Sequence, residues 1–180
     1  LDLEVPGTEI RRISRGLTSE MVASVAKLMS NMDLILAAQK VRVTAHCRTT
    51  IGEQGRLASR LQPNHPTDDV NGILASIREG LSYGVGDAVI GINPVEDNPV
   101  GTKRLLDAVE DYRQKYDIPA QICVLSHVST QMKAIENGAP ESLIFQSIAG
   151  TEAANTAFGI DGKMIQDARD LMLVRSNCEG

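Results

Sequence analysis

The chain has 180 residues, 42% of them hydrophobic and 23% charged, with a net charge of −5. That is enough for one domain with a real core, since about 70% of the unfolded surface is buried at this size. An acidic chain without a Lys/Arg cluster excludes a nucleic-acid or anionic-membrane surface, and its short apolar runs exclude a membrane-spanning helix.

With 3% aromatics and no Trp, the core has to come from aliphatic side chains and Met. Cys47, Cys123 and Cys178 are odd in number and lack metal-ligand spacing, so reduced structural thiols in a reducing compartment are expected. No charged segment leads into an apolar run at the N-terminus, so no signal peptide is expected and the setting reads as cytoplasmic.

The first dozen residues, LDLEVPGTEIRR, read as a polar lead-in, taken as a segment over 1–17. Thr18 or Ser19 then caps a helix whose Met21, Val25, Leu28, Met29, Met32, Ile35 and Leu36 follow a 3.6-residue period. Short strands are expected at VRV (41–43) and TTIG (49–52). GRLASRL (55–61) reads as a strand, and Asp68 or Asp69 starts a helix carrying Val70, Ile73, Leu74, Ile77 and Leu81. DAVIGI (87–92) is a second strand, followed by a helix capped at Thr102 with Leu105, Val109, Tyr112 and Tyr116 on one side. QICVL (121–125) is a third strand. A short helix around Met132 and Ile135 ends near Asn137-Gly138, and SLIFQS (142–147) is a fourth strand. Helices over Glu152–Phe158 and along Met164, Ile165, Ala168, Leu171 and Met172 close the chain.

Apolar strands about 30 residues apart, alternating with amphipathic helices, imply an α/β fold with a parallel sheet. Gly84-x-Gly86 precedes a strand instead of opening a helix, the wrong context for a dinucleotide fingerprint. The strands end in polar or turn-forming residues, as a parallel (β/α) barrel requires at its mouth. About four of eight strands are visible, so residues 18–180 are expected to form half of a (β/α)8 barrel. Such a half exposes two sheet edges and needs a longer chain or a partner to finish it.

SRLQPNHP (59–66) ends the first of these strands. Arg60 and Gln62 alternate onto one side, and Pro63 stops the pairing. A guanidinium fork and a carboxamide suit a small polar substrate, while a buried ion pair for Arg60 and a turn-tying role for Gln62 fit the spacing equally well. His46 and His65 read as surface or turn hydrogen-bonders; His127 follows a strand and is a candidate for lining the mouth. No metal-ligand spacing and no Ser/His/Asp or Cys/His constellation is present.

The stretches GLTSEMVASVAKLMSN, TTIG, SRLQPN, EGLSYGVGDAVIGINPV, SHVSTQ and GAPESLIFQSIAGTE together resemble the large subunit of ethanolamine ammonia-lyase, almost continuously from Ile10 to Asp170. The resemblance implies a (β/α)8 barrel, adenosylcobalamin as cofactor, and conversion of ethanolamine to acetaldehyde and ammonia. It also implies a separate small subunit, a homo-oligomer of such pairs, and in some bacteria a microcompartment. It puts Arg60, as a catalytic and substrate-binding group, with Gln62 and Asn93 on the substrate, and Pro94, Gln146 and Ser147 on the cofactor side. The family's catalytic glutamate and a substrate-binding aspartate belong to later segments that Glu179 does not match. The 180 residues alone are therefore expected to be inactive. Another small-amine barrel enzyme, or a half-barrel that only associates with a partner, are the alternatives.

Overall fold

The computed structural model describes residues 5–41, 43–46 and 48–175, which fall into two compact units, Leu1–Thr44 and Ala45–Gly180. Cys47 and Cys178 lie outside the described residues, so the expectation for their thiols does too.

The first unit is helical. Gly7–Ser14 forms α1, so the polar lead-in is not structureless there: Pro6 pre-sets the backbone at its N-cap and Glu9 pairs with Arg12 at 2.9 Å. The single helix expected from Thr18 onward is two, α2 (Ser19–Leu28) and α3 (Asn31–Lys40). Thr18 caps the first as expected, its side chain accepting from the Met21 N–H. Met29 turns extended, and Ser30 opens the second with a capping box. Its hydroxyl accepts from the Asp33 N–H, and the Asp33 carboxylate accepts from the Ser30 N–H at 3.0 Å. Reciprocal capping satisfies two orphaned donors and outweighs the continuous apolar period.

The second unit begins with an antiparallel pair, β1 (Ala45–His46) and β2 (Thr50–Ile51); Val41 and Val43 are not in a strand. A parallel sheet follows, in the order β3 (Arg60–Leu61), β4 (Val89–Ile92), β5 (Gln121–Val124). β3 is shorter than GRLASRL because Asp87 takes the Ser59 N–H at 2.9 Å and its hydroxyl at 2.6 Å, and no ladder pairing extends upstream of that lock. Gly84 and Gly86 both have positive φ in the turn before β4, a turn's use of glycine and not a phosphate loop.

Between the strands run α4 (Val70–Ser82), capped by Asp69, and α5 (Pro99–Lys115). The cap of α5 is Asn98, not Thr102: its side chain accepts from the Gly101 N–H with Pro99 at the first helical position, while Thr102 is buried beside Ser126. Then come α6 (Val128–Glu136), ending at Asn137-Gly138 as expected, α7 (Glu152–Ala157) and α8 (Gly162–Arg175). Side chains alternate across a strand, so Ile90, Ile92, Ile122 and Val124 all point one way. There they are buried with Ile73 and Ile77 of α4 and Leu105, Leu106 and Val109 of α5. Each such side chain removed from water contributes about 1.5–3 kcal/mol.

SLIFQS forms no strand. It lies along the free edge of β5, where the Ser142 and Leu143 N–H groups donate to the Ile122 carbonyl, and the remaining contacts come from side chains. The unit is therefore mixed α/β with a three-stranded parallel sheet, and no closed barrel exists among the described residues. Nor is any described helix long and apolar enough to cross a membrane.

Near the start of β5, Glu110 of α5 is nearly enclosed, at 9% side-chain exposure, and receives Arg113, Gln114 and Arg48. Burial pushes its carboxyl up, but the hydrogen bonds from those three outweigh burial and hold it at about 2. A carboxyl lowered on folding contributes stability above its ordinary pKa and loses it as pH falls toward 2. Glu110→Gln is expected to lower stability by about 1–2 kcal/mol at pH 7, allowing for the more open Arg48. In urea titrations the difference should shrink between pH 4.5 and 2.

Candidate functional site

The sheet face opposite the core carries Arg60 on β3, Val89 and Gly91 on β4, and Gln121 and Cys123 on β5. Pairing continues past the assigned strands: the Asn93 N–H donates to the Pro63 carbonyl and the Leu125 N–H to that of Ile92, both at 2.9 Å. Carried on in this register, Gln62 and Asn93 project from the same face as Arg60. The structure thus brings these three together at the C-terminal ends of two adjacent parallel strands. Arg60 and Gln62 are exposed and Asn93 half-buried, so Arg60 is not in the buried ion pair that its spacing allowed.

Arg60 lies across the neighbouring strand β4. Its Nε and Nη2 would stand 2.7 Å from a Cβ built on Gly91, so only a glycine leaves its path clear. The guanidinium carbon then sits 4.7 Å from the centroid of the Phe145 ring. Beneath it, burial pushes the Cys123 thiol up to about 12 despite the nearby Arg60 charge, so this thiol stays protonated and unreactive.

The loop after β4 is locked from behind. Asp68, buried and at φ 49°, accepts from the Val95 N–H with both carboxylate oxygens (2.9 and 3.1 Å) and from the Glu96 N–H (3.0 Å). Asn93 and Pro94 are therefore fixed between Pro63 and this clamp. Asp97 accepts from the His127 N–H, tying the loop after β4 to the one after β5. The His127 ring accepts from the Ser129 N–H at the start of α6 and reaches the Phe158 carbonyl through Nε2 (3.0 Å), so both ring nitrogens are engaged and the ring caps a helix. His65 accepts from the Thr67 and Asp69 N–H groups, and His46 bonds Thr50, as turn residues do.

Gln146 follows Phe145, on whose ring Arg60 lies, and Ser147 comes next. The Gln146 carboxamide accepts from the Val128 N–H at 2.8 Å and donates to the Ser147 carbonyl at 3.0 Å. It lines a mostly apolar cavity of about 400 Å³ with Leu143, Ile144, Ile148, Ile165 and Met172, which Arg60, Gln62 and Asn93 do not reach. Ser147 is exposed and Pro94 half-buried. Among the described residues no three His, Cys, Asp or Glu side chains gather as a metal site.

Two residues escaped the sequence reading. Gln131 of α6 is fully buried; its amide nitrogen donates to the Ser126 and Phe145 carbonyls, and its oxygen accepts from the Phe145 N–H at 2.9 Å. Its position on the apolar stripe of Val128 and Ile135 was the available signal. Glu141 accepts from the Val124 N–H at 3.1 Å, and its other oxygen is buried without a hydrogen-bond partner.

The family described as "Ethanolamine ammonia lyase large subunit (EutB)" matches residues 1–180. The ethanolamine ammonia-lyase large subunit of Escherichia coli (strain K12) is 53% identical over 155 residues, covering 86% of this chain and 34% of that protein. That of Salmonella typhimurium (strain LT2) is 52% identical over the same length and coverage. The chain spans about a third of the length of these curated relatives.

Burial pushes the Glu141 carboxyl up to about 8, against the pull of its one backbone hydrogen bond. An acid raised on folding costs nothing below its ordinary pKa and destabilises progressively as pH climbs toward 8. Glu141→Gln keeps the acceptor for Val124 and removes the ionisation. It is expected to raise stability by up to roughly 4 kcal/mol at pH 8 and to change little at pH 4; thermal melts across that range read the difference.

Proposed function

Because the chain belongs to the ethanolamine ammonia-lyase large-subunit family, we propose that the C-terminal end of its sheet face opposite the core is part of the site where such an enzyme binds ethanolamine. The observation that carries this is the common face of Arg60, Gln62 and Asn93 at the ends of β3 and β4. In a (β/α)8 barrel, chemistry sits at the C-terminal ends of the strands. The parallel β3–β4–β5 sheet, with core helices on one face only, fits one part of such a barrel, completed by further segments of the full-length subunit.

Ethanolamine carries an ammonium and a hydroxyl on neighbouring carbons. A guanidinium repels the ammonium and donates to oxygen, so Arg60 takes the hydroxyl end, where charge shifts during migration of the amino group. The carboxamide oxygens of Gln62 and Asn93 accept from the ammonium. Held between unlike partners, the substrate has one preferred orientation. Neither amide nor guanidinium is readily attacked, which suits a site handling reactive species.

The residues assigned to the cofactor side fit adenosylcobalamin by their donor chemistry. The exposed Ser147 hydroxyl and the Gln146 carboxamide are neutral, and the corrin rim presents neutral amides. Of the Gln146 amide, the oxygen and one N–H are engaged, leaving a second N–H to give. Pro94 adds a rigid apolar wall beside Asn93. When bound, the cofactor supplies the hydrogen-abstracting radical chemistry, which no side chain here provides. A small subunit and a homo-oligomer complete this reading.

In the full-length subunit assembled with its partner, Arg60→Ala is expected to lower kcat/KM for ethanolamine by about 100-fold or more. Asn93→Ala should raise KM more than it lowers kcat. Ser147→Ala should shift the adenosylcobalamin concentration for half-maximal activity and leave the KM for ethanolamine in place. Acetaldehyde release coupled to alcohol dehydrogenase measures all three. Unchanged turnover in Arg60→Ala would sink the reading and favour a chain that only associates.

A further inference from the structure

Arg60 starts on β3, one edge of the sheet, and its guanidinium lies over Gly91 of the middle strand, 4.7 Å from the ring of Phe145, a residue of the segment beside β5. A long side chain on an exposed face ordinarily samples many rotamers and loses that freedom only to a specific partner. Here the partner and the path are both built. The path is Gly91, where any Cβ would meet the guanidinium nitrogens at 2.7 Å. The partner is an aromatic face, which attracts a cation without offering it a carboxylate. No salt bridge to Arg60 occurs among the described residues, so its five donors are not committed to an acid.

Phe145 is fixed in turn. SLIFQS has no strand ladder, and the backbone N–H and carbonyl of Phe145 are both taken by the carboxamide of Gln131, which is fully buried. A carboxamide matches a peptide group donor for acceptor, so Gln131 does for this residue what a neighbouring strand does elsewhere. Buried polar groups of this kind fix position because any displacement leaves them unpaired.

We infer that Phe145 is a positioning residue for the substrate-binding Arg60: Gln131 holds its backbone, Gly91 clears the path, and its ring holds the guanidinium over the middle strand. This rests on the substrate role proposed for Arg60 and adds what sets the geometry of that role. A guanidinium held by a ring keeps its N–H edge free for an oxygen, whereas one held by a carboxylate has that edge occupied.

The test is a double-mutant cycle in the full-length subunit assembled with its partner, reading kcat/KM for ethanolamine and the Kd of ethanolamine in the cofactor-free enzyme. Phe145→Leu is expected to lower kcat/KM and raise Kd by about two- to fivefold, as an exposed cation–π contact implies. Phe145→Tyr, which keeps the ring, should stay within twofold of the parent. In an Arg60→Ala background Phe145→Leu should have no further effect, because there is no guanidinium left to position. Gly91→Ala, with Phe145 intact, should reproduce the loss by displacing Arg60. Equal effects of Phe145→Leu with and without Arg60, or a Tyr variant as impaired as the Leu one, would overturn the inference while leaving the substrate site intact. Arg60→Ala with unchanged kcat/KM and Kd would overturn the substrate role and the positioning role together.

Discussion

Alternation along two four-residue strands decides what this chain can present. Ile90, Ile92, Ile122 and Val124 are committed to the helices behind them, so the intervening positions have no choice of side. Slipping β4 by one residue would drive Gly91 into the helix layer and turn Ile90 and Ile92 out of it, and slipping β5 would do the same with Cys123 against Ile122 and Val124. The hydrophobic layer therefore sets the polar face, and the aim of Arg60, Gln62 and Asn93 is a by-product of where the isoleucines must go.

Against that constraint, parts of the fold were easy to read and others were not. DAVIGI and QICVL read as strands because short apolar runs carrying Val89, Ile90 and Ile92, and Ile122 and Val124, leave few alternatives. The stripe from Val70 to Leu81 gave a helix for the same reason. The break at Ser30 was legible in Ser30-x-x-Asp33 but was overridden by a longer apolar period, and Asn98-Pro99 was a stronger start signal than Thr102. SLIFQS has a strand's composition, yet its hydrogen bonds go to Gln131 and to the edge of β5, a tertiary arrangement that local propensity does not encode.

The site divides the same way. Alternation at a strand end singles out Arg60 and Gln62, while Asn93 joins them only through the family resemblance; the register then places all three on one face. Gln146 was read for its family position; its carboxamide also closes the first turn of α6, a second task that spacing does not reveal. Phe145 and Gln131 lie 85 and 71 positions after Arg60, and no pattern at such distance announces that one arranges another.

The segment after α6 is attached to β5 and to α6 itself by a set of keys: Glu141 on the Val124 N–H, Ser142 on that of Ile122, and Gln131 of α6 on Phe145. A backbone ladder is indifferent to sequence and can re-form two residues along; keys cut from different side chains fit in one alignment only. The chain between Glu136 and Glu141 is thus a spacer of defined length. Adding or removing a residue there would misalign every key at once, leaving the sheet behind it whole and the arginine on its face without its rest.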